Sequence, residues 1–210
     1  MVGAIVTPAL LSSIRSTPHL PNNVYFFLAC STLSTLNLPS EIPHVLRFAL
    51  ERGGGCNDSK PEHEDQLKIV RKMRESIIKL VAIAGLPKSI NAMNALKSAT
   101  PPNLVDEPLG YSPTGRPSEI FDVPQSAVLH RGQQLFNDIY GKVAGGVMRN
   151  MDRSGTEDLG LMARLMYGYA LSNTSVLSAR DTSYVLVAGL IPQDVGSSFP
   201  FWKMNSILIM

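Results

Sequence analysis

Apolar residues recur every three or four positions along most of the chain, the spacing of an amphipathic helix. Thr7-Pro8 opens a helix carrying Leu10, Leu11 and Ile14. Ser40 caps the next helix, with Pro43 in its first turn and Val45, Leu46, Ala49 and Leu50 behind it, and Gly53-Gly54-Gly55 stops it. Ser59-Lys60-Pro61-Glu62 has capping-box spacing. It precedes the strongest periodic run, Leu67, Val70, Met73, Ile77 and Leu80, which ends near Gly85. A short helix with Ile90, Met93 and Leu96 runs from about Ser89 to Pro101-Pro102.

The pattern then breaks. Pro101, Pro102, Pro108, Pro113, Pro117 and Pro124 punctuate residues 100–126, which cannot form continuous helix. This stretch reads as a long surface connection, either a passive strap or a segment that covers a cleft or an oligomer contact. Helical spacing resumes near Ser126, with Leu135, Ile139, Val143 and Val147 on one face. Gly145-Gly146 within that pattern marks a close packing point or a break. Leu159, Met162, Met166 and Tyr169 form the next stripe. Ser178-Ala179-Arg180-Asp181 is a second capping box. It launches Tyr184 to Ile191, which is apolar on nearly every side and is therefore expected to be central. The β-branched run Tyr184 to Val187 is the one strand candidate, and its capping box argues for helix. The expected class is all-α, with about seven or eight helices. One domain spans residues 1–195, as halves 1–99 and 127–195 joined by the proline-rich connection 100–126, with an atypical tail at 196–210.

Composition supports a packed core: 44% of the 210 residues are hydrophobic and 17% charged. A net charge of +2 gives no argument for a nucleic-acid partner or a membrane surface. The Lys68, Arg71, Lys72, Arg74 group reads as a solvated helix face. No apolar run reaches the length of a membrane span, about 18 residues. Ser12, Ser13, Arg15 and Ser16 faintly resemble a transit peptide, but Arg15 is the only basic residue there, so a structural helix is the better reading. Two cysteines make no disulfide framework and favour a reducing, intracellular setting, with cytoplasm, mitochondrion and peroxisome unresolved.

Candidate chemistry is sparse. Cys30 and Cys56 form no Cys-x-x-Cys pair. Cys30 lies in an apolar stretch and reads as a buried, inert thiol. Cys56, in the glycine loop with Lys60 and His63 nearby, is the more reactive candidate. His19, His44, His63 and His130 have no partner at ligand spacing, so no metal is expected. Phosphate-loop, dinucleotide and Gly-x-Ser-x-Gly patterns are missing, and no cofactor is expected.

Two further stretches carry a resemblance. Ala84-Gly85-Leu86-Pro87-Lys88-Ser89-Ile90-Asn91-Ala92 looks like an A-G-x-P-x-x-x-N-A helix junction. Arg164 to Tyr169 leads through Ser172 to Ser178 into Leu190-Ile191-Pro192-Gln193-Asp194. Together they resemble the fungal branch of the carboxymuconolactone decarboxylase / AhpD-like family, across most of residues 7 to 195. The resemblance implies an all-helical AhpD-like fold assembled as a trimer or hexamer. It implies chemistry of either peroxiredoxin type, through Cys-x-x-Cys with His and Glu, or decarboxylase type, through His and acidic residues. Ile191 to Val195 stands where redox members carry the cysteine pair, so thiol peroxidase chemistry is doubtful and the substrate is unknown. Asp181 falls near the family's helix-start acid, which makes it, with Cys56, a candidate catalytic residue; its capping-box position also accounts for it. The competing expectation is a catalytically silent binding or assembly module.

After Val195 the family pattern stops, and Gly196 to Met204 and Ile207 to Met210 suggest a truncated or alternatively spliced chain. Loss of helices there is expected to uncover the apolar faces of Leu135 to Val147 and Tyr184 to Ile191 and to favour association.

Overall fold

In a computed structural model of the chain, residues 4–21, 23–53, 60–106 and 110–195 are described. Among them the fold is helical throughout. The helices are α1 (Pro8–Arg15), α2 (Tyr25–Thr35), α3 (Ile42–Arg52), α4 (His63–Ala84) and α5 (Leu86–Ala99) in the first half. α6 (Arg116–Asp122), α7 (Gln125–Tyr140), α8 (Ala144–Asp152), α9 (Asp158–Leu165) and α10 (Ala179–Leu190) follow. The all-α expectation holds. The additional elements are short, such as α6, which forms inside the connection once Gly115 has adopted φ +65° as its cap.

Local signals account for many boundaries. Thr7 accepts a hydrogen bond from the Leu10 N–H and starts α1. Ser178 and Asp181 form the reciprocal capping box of α10. Gly85, at φ +84°, separates α4 from α5, and Pro87 occupies the first turn of α5, three residues earlier than the spacing alone predicts. Ser40 does not cap α3; a 3-10 turn over Pro39–Glu41 precedes it and Glu41 takes the cap position. Ser59, and with it the capping box expected before α4, lies outside the described residues.

α4 is the axis of the molecule. Its Ile69, Val70, Met73, Ile77 and Leu80 are buried against Tyr25, Phe26 and Phe27 of α2 and Ile42, Val45 and Leu46 of α3. Tyr25 meets Phe26 and Phe48 edge-on at 5.4 and 5.9 Å, the favoured geometry for aromatic pairs. α10 belongs to the second half in sequence but lies against α2 and α4, and Val185 is fully buried in this core. A side chain on Gly189 would come within 2.5 Å of Leu80 and 2.6 Å of Ile83, so glycine permits that close approach.

The expected continuous face through Val143 breaks at Gly141, at φ +53°, and Val143 is 39% exposed. Gly145 and Gly146 are not close-packing points: a side chain on Gly146 would meet nothing within 4 Å. Of the two faces expected to be uncovered, Leu135, Ile139 and Leu186 are buried with Leu171, whereas Val143 and Ile191 are exposed. The tail at 196–210 lies outside the described residues.

Candidate functional site

The second half is organised around a wide helical turn. After α9 the chain passes into a π-helix, Met166–Leu171, in which the Ser172 N–H reaches back five residues to the Tyr167 carbonyl at 2.9 Å. Such turns are rare and are enriched at functional sites. This one is pressed against α7. A side chain on Gly132 would lie 2.5 Å from the Gly168 nitrogen and 2.7 Å from its Cα, so glycine at 132 lets the two backbones touch.

The carbonyls of the π turn point at cations. Arg131 on α7 reaches the Gly168 carbonyl at 3.4 Å, and Arg116 at the start of α6 donates to those of Tyr169 and Ala170, both at 2.9 Å. Lys79 of α4 donates to the carbonyls of Leu171 at 2.6 Å and Asn173 at 2.8 Å. These are the groups a helix end leaves unpaired, and the negative end of the helix dipole adds to the attraction. Two carboxylates balance the cations. Glu75 forks Arg116 at 2.8 and 2.5 Å and stands 3.5 Å from Lys79. Glu119 forks Arg131 at 2.8 and 3.0 Å and accepts from Asn173. Lys79 is fully buried, and three acceptors surround its three ammonium protons. Burial lowers its pKa to about 8, against the opposing attraction of Glu75. Arg131 holds the Glu119 carboxyl below its ordinary range.

On its other side the same turn roofs a pocket of about 260 Å³ between α4, α7, α9 and α10. Its wall is apolar, with Ile83, Phe136, Met162, Leu171 and Leu186 prominent. Two phenols interrupt it. The Tyr167 hydroxyl donates to the Tyr140 oxygen at 3.4 Å, long for an O–H···O bond. Desolvation raises the pKa of both tyrosines, so both are neutral near pH 7. A pocket of this size and lining suits a ligand smaller than a drug-sized one: apolar in body, with one oxygen to meet the Tyr167 hydroxyl.

The residues singled out from sequence lie elsewhere. Asp181 closes the α10 capping box, stands 3.7 Å from Lys72 Nζ and does not line the pocket. Cys56 lies outside the described residues. Cys30 is fully buried, and desolvation pushes its thiol up to about 12. Among the described residues no three His, Cys, Asp or Glu side chains are grouped as metal ligands, and no helix is long and apolar enough to cross a membrane. The Lys68, Arg71, Lys72, Arg74 group divides. Lys68 stays solvated and pairs with Glu64 and Asp65, whereas Arg71 and Arg74 both turn onto Asp106.

Glu75, Lys79, Arg116, Arg131 and the Tyr140–Tyr167 pair were not singled out as site residues from sequence. The available signal was the Glu75–Lys79 pair, four residues apart beside the buried stripe of α4, together with the Tyr167-Gly168-Tyr169 stretch.

No family model matches the chain, and no solved structure matches it. Two curated fungal proteins are similar to it. Peroxisomal protein 2 of Saccharomyces cerevisiae is 27% identical, over 82% of this chain and 76% of its own length. Peroxisomal protein 2 of Schizosaccharomyces pombe is 28% identical, over 83% of this chain and 71% of its own.

Proposed function

We propose that this chain is a peroxisomal protein of AhpD-like, carboxymuconolactone decarboxylase-like fold that binds a small, mainly apolar, oxygen-bearing molecule beneath the π turn and runs no thiol peroxidase cycle. The observation that carries the binding reading is the apolar pocket under Tyr167, whose neutral hydroxyl makes a long, 3.4 Å bond to Tyr140. The resemblance of Ala84 to Ala92 and Arg164 to Asp194 supports the fold family. The names of the two relatives support the compartment. The inert Cys30 thiol, and the lack of a Cys-x-x-Cys pair in the sequence, argue against peroxidase chemistry.

Cyclohexanone, a six-carbon ring with one acceptor, is the probe. It is expected to raise the thermal midpoint of the wild type and to have no effect on Ala163→Phe, which fills the pocket. A wild-type midpoint that stays put at millimolar probe overturns the reading. Peroxide reduction that Cys56→Ser abolishes would overturn the non-thiol part.

The second reading, an assembly module, has its own observation. Ile120 and Phe121 on α6 are 64% and 85% exposed, apolar surface that a trimer or hexamer would cover. Light scattering should report an oligomer that Phe121→Glu dissociates; a monomeric wild type counts against assembly and leaves the pocket reading standing.

A further inference from the structure

The proline-rich connection does more than join two halves. At Val105, Asp106 and Tyr111 it lies over the groove between α4 and α5 and closes a second pocket of about 240 Å³. The floor is apolar, from Val70, Met93 and Leu96, and the rim is cationic, from Arg74 and Lys97. This pocket shares no lining residue with the one beneath the π turn.

The rim is unevenly neutralised. The Asp106 side chain, 5% exposed, anchors the connection. Arg71 gives it both Nε and Nη2, at 3.2 and 2.7 Å, and spends a further Nη2 bond on the Tyr111 hydroxyl at 3.1 Å. Arg74 gives it Nη2 alone, at 2.5 Å. Lys97 forms no ion pair among the described residues. Among the described residues three cations thus stand against one carboxylate, and Arg74 still has guanidinium N–H groups to offer. An arginine with spare donors beside a lysine is the arrangement that receives a carboxylate, and guanidinium–carboxylate hydrogen bonds are strong. The apolar floor beneath calls for a hydrocarbon tail. The volume falls below the range of drug-sized sites, about 300–1,000 Å³, and so limits that tail to a short one.

We infer that the α4–α5 groove under the connection is a binding site for a short-chain monocarboxylate, its head group on Arg74 and Lys97 and its tail on Val70, Met93 and Leu96. The two carboxylates, Asp106 and the ligand, would then share Arg74, so binding also ties the connection to α4. Attraction between partly exposed charges weakens with salt, and so should the affinity.

Calorimetric titration of the full-length protein with hexanoate, against its neutral isostere hexanamide, tests this. Hexanoate is expected to bind at least tenfold more tightly at low salt. Lys97→Ala, a surface change, and Arg74→Gln should each weaken it several-fold, and together they should bring it to the level of hexanamide. Ala163→Phe, in the other pocket, should leave it unchanged. Equal affinity for hexanoate and hexanamide overturns the inference. So does hexanoate binding that ignores both rim substitutions, or that Ala163→Phe removes.

Discussion

Two faces of α4 meet two different kinds of interior. On one, Met73, Ile77 and Leu80 are fully buried with the aromatic side chains of α2 and the aliphatic ones of α3. On the other, Glu75 and Lys79 reach across to Arg116 and to the end of the π turn, and beyond that turn lies a cavity. The first interior is held by apolar contact, which is non-directional and tolerates small changes of shape. The second is held by directional bonds to buried charges, which fix one backbone geometry and are costly when a partner is lost. A π turn with its carbonyls facing inward is not a conformation that packing alone would select. The cations on Gly168, Tyr169, Ala170, Leu171 and Asn173 account for it, and the pocket exists because the turn is held open there. One helix therefore supplies a rigid frame on one side and the support of a pocket on the other.

Lys79→Met should break the comparison most severely. It keeps the bulk of the side chain and strips three acceptors, Glu75 included, of their buried partner. A loss of about 3–5 kcal/mol is expected in urea unfolding, the range for removing one member of a buried pair. Ile77→Val, two residues away on the apolar face, should cost only about 0.5–1.5 kcal/mol. Equal costs would mean that the charges hold nothing in place. The pH dependence sharpens the point. In the folded protein Lys79 titrates near 8, below its ordinary 10.5, so the unfolded chain binds the extra proton between those values. Stability contributed by this group therefore rises with pH through that window. The stability difference between wild type and Lys79→Met should grow in favour of the wild type above pH 8 and level off near 10.5. A difference that falls with pH would show that the buried ammonium is net stabilising.

Gly132→Ala comes next. Its added methyl group would strike backbone atoms of Tyr167 and Gly168, at 2.8 and 2.5 Å, which cannot turn aside as a side chain does. The π turn must shift from α7, at about 1–3 kcal/mol, the ordinary cost of overpacking. Cyclohexanone binding should be lost with it. Retained binding at full affinity would separate the pocket from the turn.

The two regions also differ in how far the sequence reveals them. The apolar face of α4 is written in a local period, and Gly85, Pro87 and the Ser178–Asp181 box mark boundaries within four residues of the groups they bond. The charged face depends on partners far along the chain. Lys79 bonds residues 92 and 94 positions away and Glu75 one 41 away, and no periodicity encodes such a pairing. Lysine is almost never fully buried unless paired, so Lys79 by itself reads as surface. Arg71 and Arg74 read as solvated for the same reason: Asp106 lies 35 and 32 residues away, inside a stretch with no helical pattern of its own. The π turn is hidden differently. Its residues continue the stripe of α9, and a single extra residue per turn leaves the spacing of Met162, Met166 and Tyr169 intact. Gly132 reads as a weak helix position until the backbone that it admits is seen.

The gentlest test removes one oxygen. Tyr167→Phe leaves the ring in its edge-on contact with Phe136, at 4.9 Å between centroids, and deletes a hydroxyl whose bond to Tyr140 is already long. A good hydrogen bond contributes about 0.5–1.5 kcal/mol net, and this one should contribute less, so the urea midpoint should barely move. The ligand should notice more. If its oxygen takes the Tyr167 proton in a dry pocket, losing that donor leaves a buried acceptor unpaired, a cost of about 1–3 kcal/mol. A tenfold loss of cyclohexanone affinity corresponds to about 1.4 kcal/mol and is the expected order. Methylcyclohexane, which has no oxygen, should bind the wild type and Tyr167→Phe alike. If cyclohexanone also fails to distinguish them, the pocket selects by shape alone, and the phenols are only part of its wall.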